Sequence, residues 1–283
     1  MKPKSAIVWK LMQLWLKARC RLRRGHPLPY ELRPGVRFVA HLHDVSSHDI
    51  YIKRTYENVE LDWCARWLQD GDSLVDCGAN IGYYSACLSQ MRNLQKVLAV
   101  EGNETCSQRC ADAFEVLGLS SIELVSAILH SDESKALHIP DKPGMEGLQH
   151  VEEPDDGHAA LRTITLDNLV KAKALTPSLV KIDCEGAEIE ILKGAQHLLE
   201  KVRPAWLVEV NDDALIRAGA HRNQLFDIFR TTGYKTFHVA SAFADVPFGV
   251  EIDEGLQSWS FNLAAIPNDE ENLQRWKQTR PQS

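Results

Sequence analysis

Two groups of residues in this chain have the types and spacing to do chemistry. In the first, Asp76 closes a short apolar run, Leu74-Val75, and Gly78, Asn80 and Gly82 follow before a helix-like stretch begins. Glycine lets the backbone turn sharply and approach a ligand closely. A strand, a glycine turn and a helix in succession build a nucleotide pocket at the carboxyl end of a parallel sheet. Glu101 ends the next apolar run, Val97-Leu98-Ala99-Val100. It falls near the roughly 20-residue spacing at which an acid receives the two ribose hydroxyls of an adenosine ligand. In the second group, Asp183 closes the run Leu179-Val180-Lys181-Ile182 and Glu185 follows it. A carboxylate at such a rim can take the proton of a reacting hydroxyl.

The glycine spacing narrows the ligand. Dinucleotide turns read G-x-G-x-x-G, whereas this chain has Gly78-x-x-x-Gly82 with Asn80 between them and no nearby Lys or Arg to meet phosphate. An adenosyl ligand without phosphate, such as S-adenosylmethionine, suits that pattern better than NAD. Ser126 and Ala127, at the end of a third strand, are placed to flank an adenine. The same residues also have structural readings. Asp183 can cap the helix that follows, and Glu185 and Glu188 in its first turn favour the helix dipole. Asp167 reads as the anchor of a turn. Asp183, Glu185, Asp212 and Asp213 supply oxygens suited to a hard cation, but no spacing demands one and no metal is expected. His130, His221 and His238 show no spacing signal.

These residues require a scaffold of alternating strands and helices. Strands are expected at 36–40, 73–76, 97–100, 122–128, 162–165, 179–183, 206–210 and 234–239, and an antiparallel one at 259–266. Helices are expected over 50–67, 103–117 (closed by Gly118), after 188, and over 225–229. The resulting fold class is a doubly wound α/β domain with a mainly parallel seven-stranded sheet and an N-terminal helical extension. The expected divisions are a basic N-terminal extension at 1–54, a catalytic domain at 55–267 and a polar tail at 268–283 that frays. Within the domain, 131–158 is an acidic insertion, read as a solvated hairpin rather than a lid.

Composition bounds the partners. The chain has 283 residues, 44% hydrophobic and 25% charged, which suffices for one large core. Residues 1–30 hold eight Lys or Arg and no acid, leaving the remainder strongly acidic. An acidic body argues against nucleic-acid binding. Residues 5–24 mix tryptophans and cations in a run too short and too charged to span a bilayer. They are read either as a helix packed on its own domain or as one lying on an anionic membrane surface. The seven cysteines have no paired spacing and read as reduced, which with the soluble composition suggests a cytoplasmic protein, peripheral at the inner membrane surface if residues 5–24 bind lipid.

With these pieces in order, the chain resembles the FkbM-type methyltransferases, a branch of the class I S-adenosylmethionine-dependent enzymes. The resemblance rests on residues 75–85 (VDCGANIGYYS), Val100-Glu101, Thr165-Leu166-Asp167, and residues 180–188 (VKIDCEGAE) followed by Leu192-Lys193-Gly194-Ala195. It covers about residues 55–266, and it departs where Gly102-Asn103 stands in place of the proline common after the acid. The resemblance implies O-methylation of a hydroxyl on a sugar, glycan or secondary metabolite. On that reading Asp76, Gly78, Asn80, Gly82 and Glu101 hold the cofactor, while Asp183 and Glu185 face the acceptor. Two other classes stay open at this point: a non-catalytic adenosyl-binding scaffold recruited to a membrane or partner, and an NAD-dependent oxidoreductase.

Overall fold

The computed structural model describes residues 27–41, 45–139, 151–152, 160–240 and 246–279. Residues 5–24 lie outside them, as does most of the 131–158 insertion. The described chain opens with a hairpin, β1 (Leu28–Arg33) and β2 (Val36–Ala40), turned at Gly35. Helices α1 (Val45–Lys53) and α2 (Asn58–Trp67) follow. The expected single helix over 50–67 is therefore two, because Arg54 and Glu57 both take left-handed backbone conformations between them. The expected extension at 1–54 is likewise more than helical, since its hairpin enters the core through Phe38 and Val39.

The main sheet has seven strands. They are β3 (Ser73–Cys77), β4 (Lys96–Val100), β5 (Ile122–Val125), β9 (Leu179–Ile182), β10 (Ala205–Asn211), β11 (Tyr234–Ala240) and β12 (Ser260–Pro267), in the spatial order β11-β12-β10-β9-β3-β4-β5. All neighbours are parallel except β12, which runs antiparallel to both β10 and β11. This is the doubly wound α/β arrangement expected from the sequence, with its chain reversal between β3 and β9 at the centre. Such a switch point leaves a crevice at the carboxyl ends of the strands.

Period-two alternation divides the core. Leu74, Leu179 and Leu207 face one side, with the hairpin, α2, α3 (Tyr83–Met91) and α4 (Glu104–Leu117). Val75, Val180 and Val208 face the other, with α5 (Leu166–Ala172), α6 (Glu188–Lys193) and α8 (Arg222–Thr231); a shorter helix, α7 (Asp212–Arg217), follows β10. Apolar residues on both faces are what a parallel sheet buried on both sides needs.

Two expectations change here. The third strand is interrupted after Val125, because Ile128-Leu129 (β6) leaves the main sheet to pair with β8 (Leu161–Ile164), which β7 (Ala136–Leu137) joins as a small second sheet. The part of the insertion seen there is this sheet edge, with a bridge from His138 to Glu152. The polar tail does not fray over 270–279. It forms α9 (Glu270–Thr279), whose Trp276 is 1% exposed and lies between the rings of Phe237 and Phe248, with Trp63 edge-on. A single tryptophan outweighs the polarity of its helix.

Candidate active site

The carboxyl ends of β3, β4 and β9 open into a cavity of about 650 Å³ lined by Gly78, Asn80, Glu101, Ala127, Asp183 and Glu185, among others. Each wall has a local cause. A Cβ on Gly78 would meet the Asp183 carbonyl oxygen at 1.9 Å, so only glycine lets the β3 and β9 loops approach this closely. Asn80 is left-handed, with φ of 53°. The Cys110 thiol, donating to its carbonyl at 2.9 Å, and the Cys106 thiol, 3.5 Å from its Oδ1, hold it there. The i, i+4 cysteine pair of α4 is thus a clamp on the glycine loop.

Glu101 accepts from the backbone N–H groups of Asn80 and Asn103, each at 2.8 Å. Burial pushes its carboxyl up to about 7, although those two N–H groups pull the other way. A hydroxyl donor arriving from a ligand would add to the ionised form's partners.

Several expected residues stand behind the cavity instead of in its wall. Asp76 is buried and receives the Ser85 N–H and hydroxyl at 3.2 and 2.7 Å, fixing the start of α3. Gly82, at φ of 77°, caps α3, and a Cβ there would strike the Phe114 ring. Ser126 is exposed and outside the lining, while its neighbour Ala127 is in it. Glu188 accepts the N–H groups of Cys184 and Gly186 and shapes their loop. Asp167 accepts those of His197 and Leu198, as a turn anchor should. Asp212 pairs with Arg222 at the head of α7 and takes no part in the group around Asp183.

Three residues that sequence reasoning did not assign complete the site. Lys181 is 7% exposed, with its ammonium 3.3 Å from Asp183, 3.6 Å from Asp76 and over the Tyr84 ring. Burial works against its charge, but Asp183, Asp76 and Glu57 win and raise its pKa. Glu57 accepts from the Tyr84 hydroxyl at 2.8 Å and lines a second cavity of about 340 Å³ across Gly78. Burial and the Asp183 charge raise its carboxyl. Glu209, one strand over, brings its carboxylate to Asp183 and Glu185, the three contributing oxygens that lie within 4.8 Å of one another. Burial, then the charges of Asp183 and Glu188, pushes Glu185 up to about 7. The signal for Lys181 and Glu209 was strand alternation: Asp183 follows Lys181 by two residues at the end of β9, and Glu209 is the next residue of β10 after the Val208–Ile182 pair. Glu57 had no such signal.

Backbone strain gathers at the same place. Of the non-glycine residues with positive φ, Glu57, Asn80 and Glu185 all border the two cavities. Left-handed residues of this kind persist where the surroundings over-determine them, commonly at functional sites.

A switch-point crevice with a glycine turn, an acid closing the second strand and acids at the fourth is where a doubly wound fold binds its ligand. The chain belongs to the methyltransferase FkbM domain family, whose model matches residues 76–236. The cofactor expected from the sequence is S-adenosylmethionine. The residues present fit that group, because Glu101 offers a buried acceptor to hydroxyls and Gly78 leaves the loop without a side chain. Among curated proteins, the hexuronic acid methyltransferase AglP of Haloferax volcanii is 29% identical over 135 residues, 47% of this chain and 54% of that protein. The chain thus spans about half the length of that relative. A solved methyltransferase FkbM from Methylobacillus flagellatus KT is 16% identical, covering 70% of this chain and 44% of that one at a TM-score of 0.46. TYW2 of M. jannaschii, solved with AdoMet, is 13% identical and covers 84% of each chain at a TM-score of 0.41. No helix among the described residues is long and apolar enough to cross a membrane.

Proposed function

We propose that the chain is an O-methyltransferase acting on a hydroxyl of a sugar, glycan or secondary metabolite. The observation that carries this reading is one shared cavity: Gly78, Asn80 and Glu101 line it together with Asp183 and Glu185. A wider cleft of about 970 Å³ adjoins it at Leu129, Glu185 and Ala187 and gives an acceptor room to approach. AglP, similar over 135 residues, is a hexuronic acid methyltransferase, which supports a sugar acceptor.

When bound, the cofactor supplies a methyl group on a sulfonium cation. The chain's own contribution is positioning and proton handling. Glu101 receives ribose hydroxyls, and the loop from Gly78 to Asn80 approaches the ligand with backbone alone. Lys181 fixes the Asp183 carboxylate, and Asp183 and Glu185 face the acceptor and take its proton. Orientation alone can remove several kcal/mol from such a displacement, on the order of 7 kcal/mol or more in well-aligned cases.

The test is incubation with methyl-labelled S-adenosylmethionine and a panel of neutral sugars, sugar acids and phenolic alcohols. Label should appear as an alkali-stable ether on a hydroxyl. Label released by mild alkali, as from a carboxyl ester, or found on nitrogen would overturn the O-ether assignment.

A further inference from the structure

The rim carries more acids than its one buried lysine can balance. Asp76, Asp183 and Glu57 surround Lys181, and Glu185 and Glu209 stand beyond Asp183. Carboxylates this close cannot all remain ionised, so the group retains a proton near neutral pH. Glu209 is the member best placed to hold it. Its oxygen lies within 4.8 Å of one from each of Asp183 and Glu185. Burial first, then the charges of Asp183 and Glu185, with a hydrogen bond to Asp183, hold the Glu209 carboxyl well above the usual range. Other groups facing it are Glu188 beyond Glu185, the Tyr56 phenol from the segment before α2, and Asn262 opposite on β12, which donates to Glu60. Of these neighbours, Lys181 and Arg217 are cationic, and each acts on Asp183 or Glu185 in the first instance.

We propose that Glu209 is a charge-compensating residue of the active site. It holds a proton when no cation is bound and gives it up when the sulfonium of the cofactor enters beside Asp183 and Glu185. Asp183 and Glu185 then take the acceptor's proton, and Glu209 beside them holds it once methyl transfer has removed that charge. This rests on the O-methyl reading above. In the balanced step the acceptor oxygen bonds to the methyl carbon and the carbon–sulfur bond breaks. Its electron pair stays on sulfur, which becomes a neutral thioether, and the hydroxyl proton passes to the carboxylate pair. The site's net charge is then the same before and after transfer, so no charge need cross from the crevice to water during the reaction.

The full chain is titrated calorimetrically with S-adenosylmethionine and with S-adenosylhomocysteine, in two buffers of different ionisation enthalpy. The ligands share their adenosine and amino-acid parts, so the contributions of Glu101 and Glu57 largely cancel. At about pH 8 the sulfonium ligand should release about one proton more than the thioether. Glu209→Gln should lose that difference and still bind S-adenosylhomocysteine. Independently of any variant, the wild-type infrared band of a protonated carboxyl should fade with S-adenosylmethionine and persist with S-adenosylhomocysteine. Equal proton release by the two ligands, a difference that survives in Glu209→Gln, or a band indifferent to both overturns the inference and leaves the methyltransferase reading standing. Magnesium ion alone, releasing the same proton, would overturn it by making the acids a cation site. Failure of both ligands to bind brings down the two readings together.

Discussion

Glu101 joins two demands at one side chain. It stitches Asn80 and Asn103 into the cavity wall and leaves lone pairs for a ligand's hydroxyls. Hydrogen bonds to a charged group contribute about 1.5–3 kcal/mol, so Glu101→Ala should weaken S-adenosylmethionine binding by about tenfold or more. Unchanged affinity in a calorimetric titration would remove its ligand role. The cavity wall was legible at Gly78, Asn80 and Glu101, because turn chemistry and strand ends leave local marks. Asp76 and Gly82 carry equally strong marks for another reason: one fixes a helix start and the other yields to Phe114. A motif lists residues that the geometry needs, and only some of them line the cavity. Glu57 left no mark, since the Tyr84 hydroxyl that its carboxylate accepts from comes from another helix.

At the scale of elements, the main-sheet strands followed from apolar runs, several ended by acids, because a sheet buried on both faces imposes that pattern. The C-terminal helix did not, since its sequence is mostly polar and its burial rests on one residue. Trp276→Ala should therefore destabilise the protein by about 3–5 kcal/mol, the usual cost of removing a large buried aromatic ring. Denaturant unfolding measures it, and an unshifted midpoint would show that α9 adds nothing to the core. The interruption of the third strand was equally hidden. Ile128 and Leu129 are as apolar as the residues before them, and only their pairing with β8 in a second sheet separates the two runs.

Across the whole molecule, buried acids tie stability to pH. Glu101 and Glu185 titrate near 7 in the folded chain against an ordinary value of 4.5. The folded state therefore binds more protons than the unfolded one between those values. Their contribution to stability is complete below about 4.5 and is lost as pH rises through about 7. His130 and His238, held low by burial, pull in the opposite direction, so the comparison that isolates the acids is with a variant. Without cofactor, Glu185→Gln should lose less of its thermal midpoint than wild type between about pH 5 and pH 8. Parallel melting curves would refute this.

The docking of α9 has a consequence for how the protein is made. Arg275 donates to the Trp67 carbonyl and pairs with Asp72 at 3.0 Å, and Trp276 closes over Trp63. About two hundred residues separate these partners along the chain. While the ribosome is still adding β10 to β12, the aromatic face of α2 lacks the cover that Trp276 gives it. A nascent chain of this protein must carry Trp63 and Trp67 without that cover until α9 is made, which makes that interval one in which holding chaperones have something to hold.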